Sequence, residues 1–192
     1  MLGKNMRAFE VSDALLDRAS KAATGKPYNG RTIKGAGEGQ VIGYIGEAIT
    51  WRLLRERFSS ADIDYVAAQK FDRDFDVFGV SIDTKFCRRT VPPLPEYSGY
   101  VEALSFRQHH PQVYLLGSYD ERAQIAHVIG WLRRKEYEER SRFVAQGEWD
   151  DGKLTPADCY KVTYSTAHPA ETLLDRLEVY AYQLAFHRKG AR

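Results

Sequence analysis

The residues with the densest chemical content lie in one short run, Asp74-Phe75-Asp76-Val77-Phe78-Gly79-Val80-Ser81-Ile82-Asp83-Thr84-Lys85. Residues two apart on a strand share a face, so Asp83 and Lys85 point one way while Ile82 and Thr84 point the other. With Phe78-Gly79 as a two-residue turn, Val77 pairs with Val80, Asp76 with Ser81 and Asp74 with Asp83. Directly paired residues lie on the same side of a sheet, which brings Asp74 and Asp76 to the face of Asp83 and Lys85. Several carboxylates and one ammonium within ~4–8 Å are costly to assemble without a cation. A hard divalent cation, Mg²⁺ or Mn²⁺, would neutralise them, because carboxylate oxygens are its preferred ligands. Such a group suits phosphodiester hydrolysis, where the metal stabilises charge on the phosphate and generates hydroxide from water. A lysine beside it offsets the phosphate charge.

Helices and strands must position these side chains. Residues 40–58 read as a strong helix, with Val41, Ile42, Ile45, Ile49, Leu53 and Leu54 in helical period and Arg52, Arg55 and Arg57 near its end, where cations suit the helix dipole. Glu47 lies inside the apolar stretch of that helix, 44–51. Gly43 and Gly46, three residues apart, leave room for another backbone or a substrate to come close. Residues 11–23 read as an amphipathic helix with Ser12 as N-cap, and 24–39 as a loop rich in Gly and basic residues. Gly35-Ala36-Gly37-Glu38-Gly39 follows no strand and so is no dinucleotide fingerprint; no nucleotide cofactor is expected. Strands are expected at 63–67, 75–80 and 81–86. A proline-bearing loop or lid at 88–100 and a short helix at 101–109 follow. Further strands are read at 113–118, 124–130 and 160–164, helices at 131–140 and 170–186, and a polar loop at 143–156. This order describes a single α/β domain, a mixed central β-sheet flanked by helices, in which 1–39 supply an N-terminal helix and basic loop and 40–192 the core.

The pattern resembles the PD-(D/E)XK nuclease superfamily, whose core is a helix bearing an acidic residue followed by a β-hairpin bearing Asp and (Asp/Glu)-X-Lys. Gly43-Tyr44-Ile45-Gly46-Glu47-Ala48 is similar to the helix, Phe75-Asp76-Val77 to the first hairpin strand and Ile82-Asp83-Thr84-Lys85 to the second. The resemblance is close over 40–86 and implies a restriction endonuclease-like core. It implies metal ligation by Asp76, Asp83 and the main-chain carbonyl of Thr84, with Glu47 completing the site or helping to hold a second ion. Lys85 would position or activate the attacking water. Asp83 stands where the commoner form has Glu, and the short spacing from Asp76 to Asp83 leaves Asp74 as a rival first ligand. The implied activity is that of a Mg²⁺-dependent deoxyribonuclease, an endonuclease of phage or mobile-element type, with RNA as the competing substrate. A double-strand cut would call for a homodimer, since one site cleaves one strand. The alternative from another class is a catalytically inactive nucleic-acid-binding or assembly protein that keeps the nuclease fold.

Composition agrees with an ordinary globular chain: 192 residues, 43% hydrophobic and 28% charged, with 28 Lys and Arg against 26 Asp and Glu. The net charge of +2 conceals an uneven distribution. Residues 1–60 hold ten basic and six acidic residues, a net of +4, whereas 61–84 hold two and six, a net of −4. Lys26, Arg31 and Lys34 in the basic loop, and Arg88 and Arg89 just beyond Lys85, are the expected contacts to a DNA backbone. Cys87 and Cys159 fit neither a disulfide framework nor a zinc site. His109 and His110 are adjacent, so they diverge on helix or strand and read as structural or surface groups. No apolar run reaches the ~18–20 residues of a membrane span, and residues 1–10 lack a signal-peptide core; a cytoplasmic location without membrane contact is the expectation.

Overall fold

A computed structural model describes residues 6–24, 36–66, 73–150 and 153–190. Its centre is a six-stranded mixed sheet in the order β1-β7-β6-β4-β3-β2. The strands are β1 (Arg7–Glu10), β2 (Ile63–Tyr65), β3 (Phe75–Val77), β4 (Val80–Arg89), β6 (Val113–Asp120) and β7 (Ile125–Arg133). Only the β4–β6 pair is parallel; β2–β3, β3–β4, β6–β7 and β1–β7 are antiparallel. A parallel neighbour needs a crossover, and the chain between β4 and β6 supplies it with β5 (Ser98–Glu102) and α3 (Ala103–Gln108).

The sheet is covered on both faces. One face carries α1 (Asp13–Thr24), α2 (Ala36–Arg55) and α5 (Ala170–Gly190), packed through Ala19, Ile45, Ile49, Leu53, Leu173 and Leu177 onto Phe75, Ile82 and Leu115. The other carries α3, α4 (Arg134–Arg140) and a small sheet of β5, β8 (Arg142–Val144) and β11 (Cys159–Thr163), packed through Phe106, Tyr137 and Val162 onto Tyr114, Leu116 and Leu132. β9 (Trp149–Asp150) and β10 (Lys153–Leu154) form a separate hairpin. Every residue of β6 is buried, as a central strand covered from both sides requires. The molecule is therefore a single α/β domain with a mixed central sheet between helices.

Several expectations change. The helix read at 40–58 begins at Ala36, which takes 36–39 out of the expected loop and into its first turn; 25–35 lie outside the described residues. Trp131 to Arg133 end β7 rather than opening a helix, because Trp131 exchanges backbone hydrogen bonds with His168 and buries its ring beneath α5. The proline loop shortens to 90–97, since β4 runs on to Arg89 and β5 starts at Ser98. Short strands interrupt the loop read at 143–156. β1 was not expected; its four residues complete the sheet edge through main-chain pairing with β7, which leaves little side-chain pattern. Ser12 does cap α1, accepting the Leu15 N–H at 3.3 Å.

Helix α2 is docked onto β4 by one ring. Phe86 sits between Gly46 of α2 and Gly117 of β6, where an added Cβ would lie 2.7 Å and 2.2 Å from its atoms. At Gly43 the same test meets nothing within 4 Å, so only Gly46 is needed for a close approach. Beside the ring, the Thr84 and Thr50 hydroxyls meet at 3.4 Å, a second tie between strand and helix. Among the described residues no helix is long and apolar enough to cross a membrane.

Candidate active site

The hairpin turns at Phe78 and Gly79, both with positive φ (53° and 82°), a conformation that matches the twist of the flanking strands. Register follows the sequence: Val77 opposite Val80, Asp76 opposite Ser81 and Phe75 opposite Ile82. Asp76 is engaged at this turn. Its Oδ1 accepts the Gly79 N–H at 2.8 Å and its Oδ2 stands 3.7 Å from Arg73 Nε.

Asp74 lies just before β3, where the ladder ends. Its N–H donates to the Ile82 carbonyl at 2.9 Å, and its Oδ2 accepts the Thr84 N–H at 2.7 Å. The side chain thus takes the place of the next ladder partner and lies against Asp83. Peptide groups two apart on a strand point the same way, so the Thr84 carbonyl shares this open edge with the Asp74 carboxylate. Lys85 Nζ donates to Asp83 Oδ1 at 2.6 Å, with the Asp83 side chain 8% exposed and that of Lys85 26%. Among the described residues the second oxygen of Asp74 and that of Asp83 have no hydrogen-bond partner.

Electrostatics follow from two carboxylates facing one ammonium. Burial raises the Asp74 carboxyl, Asp83 and then Glu47 add to it, and Lys85 and the Thr84 hydrogen bond only partly compensate; it is pushed up to about 7. Burial pulls the Lys85 ammonium down, but Asp83 and Asp74 outweigh it and hold it above its ordinary value. Tyr114, opposite Asp83 in the sheet, is pushed up to about 12 by burial and by that carboxylate, while its hydroxyl accepts from Arg134 at 3.1 Å.

Glu47 approaches from α2. Its Oε2 accepts the hydroxyl of Tyr65 on β2, whose phenol is raised by burial and then by this hydrogen bond. Tyr65 is the residue the sequence did not single out. Its position two strands from Lys85 depends on the β2–β3 register, with Tyr65 opposite Phe75. The structure thus brings Asp74, Asp83 and Lys85 together, with Glu47 close enough to act on Asp74 and Asp76 held at the turn.

Of the expected backbone contacts, Lys26, Arg31 and Lys34 lie outside the described residues. Arg88 Nε donates to Glu121 Oε2 at 2.5 Å. Arg89 lies 4.3 Å over the Tyr97 ring and donates to the Ser98 carbonyl at 3.0 Å, which binds the loop before β5 to β4. Cys87 and Cys159 are buried free thiols.

Among the described residues no three His, Cys, Asp or Glu side chains are grouped to hold a metal ion by themselves. The donors at the open edge are two carboxylates and a main-chain carbonyl. That set fits Mg²⁺, which commonly takes one or two carboxylates, keeps several waters and adds substrate phosphate. The negative charge that Asp83 and Glu47 add at Asp74, beyond the effect of burial, fits the same ion. In comparisons with known proteins, no family model, curated protein or solved structure matches the chain.

Proposed function

We propose that the chain is a metal-dependent nuclease of PD-(D/E)XK type that hydrolyses DNA phosphodiester bonds. The observation that carries this reading is the convergence of Asp74, Asp83 and Lys85 at the open edge of the β3–β4 hairpin. The succession of elements supports it: α2 with Glu47, then the hairpin with Asp74 and Asp76 on one arm and Asp83-Thr84-Lys85 on the other. In this reading Asp74, not Asp76, is the first ligand, because the Asp76 carboxylate serves the turn.

Asp74, Asp83 and the Thr84 carbonyl would hold Mg²⁺ or Mn²⁺. The ion would supply Lewis acidity at the phosphate and lower the pKa of water, so that hydroxide is available as the nucleophile. Lys85, hydrogen-bonded to Asp83, would orient the attacking water and balance phosphate charge. Glu47, aligned by the Tyr65 hydroxyl, faces the same edge from the helix side and completes the acidic set.

The test is cleavage of plasmid and oligonucleotide DNA in Mg²⁺ or Mn²⁺, with EDTA and Lys85→Ala as controls. Cutting is expected to depend on metal and to fall in Lys85→Ala with the fold kept, as judged by circular dichroism. Undiminished cutting by Lys85→Ala would remove the active-site assignment. No cutting, together with no Mn²⁺ binding in calorimetry, would leave the catalytically inactive DNA-binding protein as the reading.

A further inference from the structure

A groove of about 540 Å³ opens between α1 and α2 and ends at Glu47 and Tyr65. Tyr44, Ala48 and Trp51 follow one another at helical spacing along its α2 wall, and Tyr65 also lines it. Arg18 and Arg52, both exposed, stand along it. Among the described residues neither has a carboxylate partner: Arg18 donates to the Ala14 carbonyl at 3.2 Å and Arg52 to the Glu10 carbonyl at 2.9 Å.

We propose that this groove receives an unpaired nucleobase of the DNA strand being cut, next to the phosphate held at Asp74 and Asp83. The proposal rests on the nuclease reading and names its substrate class: single-stranded, frayed or flapped DNA. Three features support it. The volume is that of a small-ligand site and admits one nucleotide. Aromatic rings accept any base by stacking, without hydrogen-bond readout. The two arginines complement the phosphates on either side of a base, whereas an apolar peptide or lipid chain would leave them uncompensated. The groove adjoins the candidate active site through Glu47, which lines it, accepts the Tyr65 hydroxyl and acts with its charge on Asp74. A base within an intact duplex cannot enter, so strand separation must precede capture.

The test compares a short duplex bearing a few unpaired nucleotides, one of them 2-aminopurine, with a blunt duplex of the same sequence. Binding is read in EDTA by anisotropy and by 2-aminopurine fluorescence, and cutting is read in Mg²⁺. The unpaired end is expected to bind roughly tenfold more tightly, with quenched fluorescence. Ala48→Phe, which fills the groove from α2, and Ala22→Phe, which fills it from α1, are each expected to erase that preference. The second variant guards against misfolding of the first. Equal binding and equal cutting of the two duplexes, unaltered in both variants, overturn the groove and leave the nuclease reading in place. Overhang-selective binding without any cutting leaves the groove and removes the nuclease reading. Displacement by a free nucleoside monophosphate as effectively as by the strand makes the groove a small-molecule site and overturns the proposal.

Discussion

Lys85 and Lys161 each reach an aspartate away from bulk solvent, and the two settings are opposite. At Lys85 two carboxylates, Asp83 and Asp74, share one ammonium, and Asp74 is pushed up to about 7. At Lys161 one carboxylate, Asp150, takes two cations, Lys161 and Arg142. The hydrogen bond from Lys161 holds Asp150 below the usual carboxylate range, although burial opposes it. In the second group the carboxylate has a cation on each oxygen and ties β8, β9 and β11 together. The first keeps a deficit of positive charge that a divalent ion would fill. A buried lysine beside an aspartate is therefore not informative in itself; the sign of the residual charge is.

The largest contrast is expected in catalysis. Asp83→Asn and Lys85→Ala should each lower Mg²⁺-dependent cutting by roughly a hundredfold or more, in the range seen when a group that stabilises transition-state charge is removed. Lys161→Met and Asp150→Asn should leave it within about threefold. The measurement is initial rate on plasmid DNA, and the reverse order of effects would undo the comparison.

Stability should respond with opposite signs. The folded Asp74 carboxyl, at about 7, holds its proton more tightly than the unfolded group at 3.8. Its contribution is full below pH 4 and is lost as pH rises through 7. Asp74→Asn should therefore raise the metal-free stability at pH 8 by roughly 1–3 kcal/mol, read as a higher melting temperature. Asp150 is lowered instead, so its contribution is present above the unfolded carboxylate pKa and is lost as pH falls through the folded value. Asp150→Asn should lower the melting temperature at pH 8. Calorimetric scans of both variants at pH 5 and pH 8 decide the signs.

A smaller effect comes from the ion itself. Mg²⁺ at saturating concentration should raise the melting temperature of the wild type at pH 8 by a few degrees, through binding to the folded state alone. Asp74→Asn should not show the rise. The smallest effect is expected at Arg88, an exposed pair with Glu121, where Arg88→Ala should change stability by less than about 1 kcal/mol. An Arg88→Ala variant that binds DNA with an unchanged salt dependence would place this side chain outside the DNA-contacting set.

The hairpin and its register were legible in the sequence because Phe78-Gly79 fixes the turn and alternation fixes the faces. The helix with Glu47 was legible from its apolar period. The different partners of Asp74 and Asp76 were not. They depend on β3 beginning at Phe75, so that Asp74 takes the Thr84 N–H with its side chain while Asp76 takes the Gly79 N–H. Tyr65 was hidden because its partner lies eighteen residues back on another element. β1 carries too few residues for a pattern, and Trp131 looked helical because the Arg and Glu residues after it are helix formers.

The ring of Phe86 between Gly46 and Gly117 has a further consequence. Its immediate neighbours in the chain are Lys85 on one side and, across the contact, Glu47 beside Gly46. The ring works as an alignment pin that sets the helix-borne carboxylate against the strand-borne ammonium. Neither glycine carries a charge, yet a methyl group at either position would move the ring and with it the spacing of helix and strand. The tolerances of the candidate site are thus set in the hydrocarbon layer behind it.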